Sequence, residues 1–454
     1  MTASLQFLGA TGTVTGSKYL FRTARAGLLV DCGLFQGFKQ LRLRNWSAPP
    51  LNVRALSAVV LTHAHLDHSG YLPLLVRNGF SGKVYCSEAT YELCRLLLPD
   101  SGRLQEEEAE YANRRGFSKH KPALPLYTEE DAKRALRQFS PLSPNGKLDL
   151  LGVQVRLLPA GHILGACMVS LENEGRRILF SGDLGRPNDP IMVPPASVRA
   201  ADYLVVESTY GNRRHDASDA GMELGQVIRK TAERGGVVII PSFAVGRAQS
   251  LLYEIERLKS QGAIARDLPV YLNSPMAIDA TELYRTHNRE HRLTPEQCRT
   301  MCQAALMVRT PEESRRLNQR PGPMVIIAAS GMATGGRVLH HLKAFAPDPR
   351  NTILFSGYQA GGTRGATILS GAGAVKIHGS YVPVRAEVAS IESFSAHADA
   401  DETLKWLKGF SDPPRRTFIT HGEPAAADAL RLLIEEKLGW RCEVPDYLES
   451  ATLE

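Results

Sequence analysis

At 454 residues the chain is too long for one ordinary core and reads as two domains, or three. With 43% hydrophobic and 22% charged residues it is globular rather than disordered, and no apolar run is long enough to span a bilayer. The N-terminus lacks a basic region followed by an apolar stretch and a small-residue cleavage site, so a cytoplasmic protein is expected. A net charge of +7 favours an anionic partner, but it counts only beside a site that itself points to phosphate. Seven scattered cysteines argue against a disulfide framework. Cys298 and Cys302 have no second Cys or His pair at zinc-finger spacing and are read as small buried hydrophobes.

Short β-rich runs at 5–8, 27–30 and 58–61 in the first third, followed by others at 153–158, 168–171 and 177–180, alternate with helical patterns at 90–98 and 129–139. The charge-dense stretch 103–121, with Arg114, Arg115, Lys119 and Lys121, is read as a solvated helix and loop, with an RNA contact as the alternative. From about Ser208 the rhythm becomes helix–strand units, with apolar strands at 237–240, 270–272, 325–328 and 352–355. Apolar strands between amphipathic helices indicate a parallel sheet covered on both faces. After about Val384 short strands and helices return, with histidines at their ends. The pattern is that of one α/β domain with a second inserted into it: 1–207 and 384–454 for the first, 208–383 for the second.

His63, His65, Asp67 and His68 follow the strand 58–61 directly. A core rarely wants several imidazoles on one turn, and a solvated loop has no use for them. Imidazole with carboxylate suits zinc or another divalent first-row metal. On a turning backbone His63 and His65 point one way while Asp67 and His68 reach a second position, which favours two metals. His162, in Gly161-His162-Ile163, and Asp183, in Gly182-Asp183-Leu184, each follow a strand. Alone, either residue is more often a turn residue than a ligand. Their glycine flanks allow close backbone approach, and an aspartate can bridge two cations.

Taken together, His63 to His68, His162 and Asp183, with Asp31 upstream in Val30-Asp31-Cys32-Gly33, resemble the metallo-β-lactamase superfamily. The resemblance implies an αββα sandwich and a dinuclear site holding two Zn2+ per chain. It implies His63, His65, His162 and Asp183 around one metal, Asp67, His68 and Asp183 around the other, and Asp31 supporting the ligand loop by hydrogen bonds.

Three further motifs are similar to the signature motifs of the β-CASP nucleases: Val206-Glu207-Ser208-Thr209, Ser395-Ala396-His397-Ala398-Asp399 and Thr420-His421-Gly422-Glu423. In the inserted part, the segments around Arg247, from Ser330 to Arg337 and from Gly357 to Ala360 look like bacterial relatives of the mRNA 3′-end processing endonuclease subunit. Asn273 stands where that family usually has Asp, and no RNA-binding domain is expected ahead of the metal-binding core. A homodimer or an RNA-processing partner is compatible with the resemblance.

By this resemblance His421 completes the second metal site, and Asp67, Glu207 and His397 carry the catalysis. His397 would protonate the leaving 3′ oxygen, with Glu207 orienting and helping to charge its imidazole. The implied activity is hydrolysis of RNA, single-stranded by expectation, to 5′-phosphate and 3′-hydroxyl ends, endonucleolytic, 5′-exonucleolytic or both. The preference for RNA rests on His421, where the DNA-processing branch carries an apolar residue. Ser395 and the Ser330–Gly331 loop are candidate phosphate contacts, a tight strand-to-helix turn being the equal alternative for the loop. Arg247 and Arg337 are read either as contacts to the nucleic-acid backbone or as caps and interdomain pairs. His378 is read as a cleft residue or an interdomain hydrogen bond, His340 and His341 as packing or surface residues, and His120, His215, His287 and His291 as surface or loop positions. The rival readings are a hydrolase of a small ester or thioester, a DNA nuclease of the same fold, and a non-catalytic RNA-binding scaffold.

Overall fold

Two β-sheets stack face to face in the unit formed by Met1–Arg214 and His397–Glu454 of the computed structural model, which describes residues 3–116, 118–143, 146–215 and 219–454. The first sheet runs in the order Ser450–Leu453, Ala3–Phe7, Tyr19–Arg22, Gly27–Val30, Ala58–Val60 and Lys83–Tyr85. The second runs Cys442–Glu443, Arg416–Thr420, Tyr203–Glu207, Arg176–Phe180, Cys167–Asn173, Val153–Pro159 and Leu148–Leu150. Side chains alternate across each strand, so one set from each sheet faces inward. Leu5, Phe7, Phe21, Leu28 and Val30 thereby share one core with Val155, Val169, Leu171, Phe180 and Phe418. The Phe7 and Phe418 rings meet across it at 5.0 Å. Helix Pro424–Leu438 packs on Arg416–Thr420, and helices Leu72–Arg77 and Glu88–Arg115 both pack on Glu129–Leu136. The architecture is the expected αββα sandwich.

The helix expected at 90–98 is far longer, spanning Glu88–Arg115. Ser87 caps its first turn by accepting from the Thr90 N–H, and Gly116 ends it in the left-handed conformation at φ 65°. The charge run therefore continues the helix: Arg103 pairs with Asp100 and Glu107, while Leu93, Leu97, Ala109 and Ala112 are buried.

The second unit, His215–Ala396, holds a parallel sheet in the order Leu306–Met307, Val270–Leu272, Met324–Ala328, Val237–Pro241, Thr352–Phe355 and Glu387–Ser390. The strands Val237–Pro241 and Met324–Ala328 are buried throughout, as uninterrupted apolar runs covered on both faces should be. A hairpin, Ala374–Ile377 with Ser380–Pro383, lies outside this sheet. The boundary expected at 383/384 differs from the compact unit, which reaches Ala396. The strand Glu387–Ser390 accounts for the difference: it pairs in parallel with Thr352–Phe355 and so belongs to the inserted sheet. Among the described residues no helix is long and apolar enough to cross a membrane.

Candidate metal centre

The candidate residues gather where strands of the two sheets end. Strand Ala58–Val60 delivers Thr62 and His63, and the short helix Leu66–Ser69 presents Asp67 and His68. Strand Val153–Pro159 leads to His162, Arg176–Phe180 to Asp183, Tyr203–Glu207 ends on Glu207, and Arg416–Thr420 leads to His421. Two of these loops depend on a close backbone approach. A Cβ on Gly33 would lie 1.5 Å from the Asp67 carbonyl oxygen, and one on Gly422, after strand Arg416–Thr420, would lie 2.7 Å from the Ser208 carbonyl oxygen, so only glycine fits at either place. Backbone bonds from Cys32 N–H to the His68 carbonyl (2.7 Å) and from Leu34 N–H to the Leu66 carbonyl (2.8 Å) lock the loop.

Four ligand atoms converge in a first pocket: His63 Nε2, His65 Nδ1, His162 Nε2 and Asp183 Oδ2. His63 Nε2 is 3.1 Å from His65 Nδ1 and 3.4 Å from Asp183 Oδ2; His162 Nε2 is 3.3 and 3.5 Å from the same two atoms. A tetrahedral shell with metal–ligand bonds of ~2.0–2.1 Å places its ligand atoms roughly 3.3 Å apart. The pocket has that spacing. A second pocket is formed by Asp67, His68 and His421, with Asp183 Oδ1 on its border. Here His68 Nε2 is 3.0 Å from His421 Nε2 and 3.2 Å from Asp183 Oδ1, while His421 Nε2 is 3.6 Å from Asp67 Oδ2. Asp183 thus offers one oxygen to each pocket. Its Oδ1 is buried without a well-formed hydrogen bond, a costly arrangement unless a cation completes it.

Electrostatics lead to the same fit. Burial first, and the neighbouring imidazoles next, hold His63 and His162 well below the usual histidine range. His65 is lowered too, chiefly by burial. All three are therefore neutral, with a lone pair to give. His68 goes the other way: burial opposes its charge, but Asp183 and Asp31 outweigh it and hold the ring well above the usual range. Two buried carboxylates demand a positive charge between them, and a bound cation would replace that proton. Asp183 is held well below the usual carboxylate range, its burial outweighed by His421, His68 and His63.

The rings of His63, His68 and His421 are also set for the correct nitrogen. Asp31 Oδ1 accepts from the Thr62 N–H (2.7 Å), and its Oδ2 lies 2.8 Å from His68 Nδ1 and accepts from the Thr62 hydroxyl (2.9 Å). That hydroxyl, its proton given to Asp31, can only accept from His63 Nδ1 at 3.0 Å. Thr209 does the same for His421. Its hydroxyl donates to the His421 carbonyl (3.2 Å) and faces Nδ1 at 3.1 Å, so Nδ1 carries the proton and Nε2 the lone pair. Neither threonine stands out in the sequence. The available signal is their place, directly before the ligand His63 and two residues after Glu207.

Glu207 and His397 stand beside the ligands. The carboxylate accepts from the Leu184 N–H at 2.6 Å, and His397 Nδ1 lies 3.0 Å from Oε2. A bond from the Ala398 N–H to the Leu184 carbonyl (2.7 Å) anchors the His397 backbone next to Asp183. His397 Nε2, on the ring's other side, is 4.0 Å from Asp183 Oδ2. Within the cluster, Asp67 and His397 keep 21% and 18% of their side chains exposed, whereas His63, His68, His162, Asp183 and His421 keep 4% or less. Solvent reaches the site at His65, Asp67 and His397.

The candidate phosphate contacts belong to the inserted unit and not to the ligand cluster. The Ser330 hydroxyl accepts from the Thr334 N–H (3.0 Å) of its own loop, and a Cβ on Gly331 would lie 2.8 Å from the Phe243 nitrogen, so the segment is a tight turn. Arg337 donates to Asn273 Oδ1 (2.8 Å) and to the carbonyls of Val308 (3.0 Å) and Arg309 (2.6 Å). Arg247 lies over the Phe394 ring, and Ser395 is buried with its N–H on the Glu392 carbonyl. His378 is exposed, its ring 4.8 Å from that of His340. His341 and His291 are buried; His291, in the loop between helices Pro275–Thr286 and Pro295–Gln303, donates from its ring to the Tyr284 carbonyl at 2.8 Å, so of the surface or loop position expected for it the structure has the loop.

Comparison with known proteins agrees with this geometry. The metallo-beta-lactamase superfamily matches residues 11–233, the Beta-Casp domain 248–368, and the Zn-dependent metallo-hydrolase RNA specificity domain 381–445. A protein named as a ribonuclease from Thermus thermophilus is 38% identical over 94% of both chains. A transcription termination factor, FttA, from Methanocaldococcus jannaschii is 31% identical over 95% of this chain and 69% of its own. A crystal structure of a protein of unknown function from Enterococcus faecalis shares the fold, with a TM-score of 0.55 over the full length of both chains at 14% identity. The chain belongs to the β-CASP ribonuclease branch of the metallo-β-lactamase superfamily.

Proposed function

We propose that the protein is a zinc-dependent ribonuclease, with two Zn2+ per chain, that hydrolyses RNA phosphodiester bonds to 5′-phosphate and 3′-hydroxyl ends. The observation that carries this reading is the Glu207–His397 pair set against the shared ligand Asp183. A thioester or lactam hydrolase has no evident use for a second charged pair at the rim of the metal pockets. An alkoxide leaving group from a phosphodiester needs a proton, and this pair holds one.

Bound zinc supplies Lewis acidity at neutral pH, acidifying water in the site and offsetting charge on the phosphoryl oxygens. The chain's own residues do the rest. His63, His65 and His162 with Asp183 would hold the first cation, and Asp67, His68 and His421 with Asp183 the second; Asp31 orients His68 directly and His63 through Thr62. Asp67, open to solvent, receives the proton of the attacking water. His397 gives its Nε2 proton to the leaving 3′ oxygen, and Glu207 holds the ring from Nδ1. None of these roles uses the 2′-hydroxyl. The RNA preference draws on the match to the RNA specificity domain and on the naming of the Thermus relative as a ribonuclease.

The test compares hydrolysis of labelled single-stranded RNA, single-stranded DNA of the same sequence and a generic thioester, each with and without chelator. RNA cleavage that the chelator abolishes and zinc restores is expected. Faster turnover of the thioester than of RNA would refute the reading.

A further inference from the structure

The segment from Gln36 to Trp46 stands out on the sandwich surface. Its helix, Lys39–Arg44, has no buried residue. Phe38 (47% exposed), Leu43 (53%) and Trp46 (56%) project from it and its ends. Single exposed apolar residues are ordinary, but three large ones within nine residues concentrate exposed apolar surface in one short segment. Between Asp31 and Asp67 the chain carries Lys39, Arg42, Arg44 and Arg54 and no carboxylate. The helix supplies no acidic residue in its first turn, and among the described residues Lys39 and Arg42 make no ion pair.

The patch is held in place. Asn45, buried at the base, accepts from the Phe35 N–H (3.0 Å) and donates to the Phe35 carbonyl (2.8 Å). The Arg44 guanidinium lies over the Phe35 and Tyr447 rings, at 5.3 and 4.0 Å from their centroids. The Gln36 N–H bonds the Thr15 hydroxyl at 3.2 Å. The chain also enters the segment directly from the metal loop, since Gly33 lies against the Asp67 backbone and Leu34 bonds Leu66. The ordering cost of presenting Phe38 and Trp46 is therefore met before any partner arrives.

We propose that this segment is a docking platform for single-stranded RNA, on which Phe38 and Trp46 stack against bases while Lys39 and Arg42 meet phosphates. Exposed aromatics interleaved with cations are how proteins hold single strands without reading sequence. From Phe38 to Trp46 the helix rise covers about 12 Å, enough for two or three nucleotides. A second copy of the chain fits the patch less well, because a two-fold contact would set Lys39 and Arg42 against their own copies. Resting on RNA as the substrate class, the platform adds a binding surface in the metal-binding unit, outside the ligand set and the Glu207–His397 pair.

Anisotropy of labelled, phosphorothioate-linked single-stranded RNA on the protein as purified tests this without requiring turnover. Phe38→Ala and Trp46→Ala should each weaken binding about tenfold, with Trp46→Phe close to wild type. Lys39→Ala with Arg42→Ala should reduce the slope of log affinity against log salt by roughly 1.4. In cleavage, the aromatic losses should appear in KM rather than in kcat. RNA binding by the wild type that all these variants retain would overturn the platform and leave the ribonuclease reading standing. Failure of the wild type to bind RNA would overturn both. A wild-type dimer that Trp46→Ala dissociates would make the patch a self-association surface and also overturn the platform.

Discussion

His397 Nδ1 lies 3.0 Å from Glu207 Oε2 and 3.1 Å from Oε1, so one carboxylate grips one ring nitrogen with both oxygens. Burial alone would lower the imidazole's pKa. The Glu207 charge and its hydrogen bonds outweigh burial, with help from Asp183 and Asp67, and raise it to about 9. Below that pH Nε2 holds the proton it must give; as pH rises through it, the acid form is lost. Turnover should therefore fall on the alkaline side. Glu207→Gln removes the raising charge and leaves burial in place, so the alkaline limb of kcat should move to lower pH by ~1–2 units. A limb that stays where it was would separate His397 from the proton transfer.

The threonine behind His421 gives a second prediction. Thr209→Val keeps the branched shape but removes the acceptor for Nδ1–H, freeing the ring to put its proton on Nε2. Metal affinity of the second pocket should drop by about 10–100-fold, read by chelator competition, with Thr209→Ser restoring it. In the metal-free protein, ring 15N–1H correlations should place the His421 proton on Nδ1 in the wild type. Finding it on Nε2 would remove the role from Thr209, however many metals bind.

Removing a ligand should empty one pocket and spare the other. Asp67→Ala and His68→Ala should abolish cleavage and lower zinc from two to one per chain by elemental analysis, because the first pocket keeps all four of its ligand atoms. Loss of both metals would mean that the pockets fill only together.

Arg337 should behave as a structural residue. Its guanidinium holds Asn273 and the Val308 and Arg309 carbonyls, so Arg337→Ala leaves the acceptors of buried Asn273 and Val308 unmet. Unfolding free energy should fall by about 2–3 kcal/mol, measured by denaturant titration, while the salt dependence of RNA binding should not change. A salt slope reduced by one phosphate contact, with stability intact, would return Arg337 to the substrate.

The metal centre was legible in the sequence because imidazoles and carboxylates crowded just after strands seldom serve packing or solvation. The runs 58–61 and 177–180 stood out by apolar composition and led straight to His63 and Asp183. Short or polar strands were not visible in that way. Leu148–Leu150 and Ser450–Leu453 carry too few apolar residues to mark them, and their register comes from Val153–Pro159 and Ala3–Phe7. The extent of helix Glu88–Arg115 was hidden because its second half is dense in charge and buries only small residues, and because Pro99 lies within it, features that mimic a helix end. Hydroxyl partners such as Thr62 and Thr209 escape notice for a different reason. Their importance lies in which ring nitrogen they face, and only the folded structure shows that.

The proton transfer to the leaving oxygen can be isolated by changing that oxygen. Single-turnover cleavage of an RNA with one bridging 3′-sulfur in place of the 3′-oxygen should be almost as fast for His397→Ala as for the wild type, because a thiolate leaves without being protonated. On the all-oxygen RNA the same variant should be slower by ~10²–10⁴-fold, with zinc content unchanged. An equal loss on both substrates would contradict the assignment of His397 as the acid of a metal-centred RNA hydrolase.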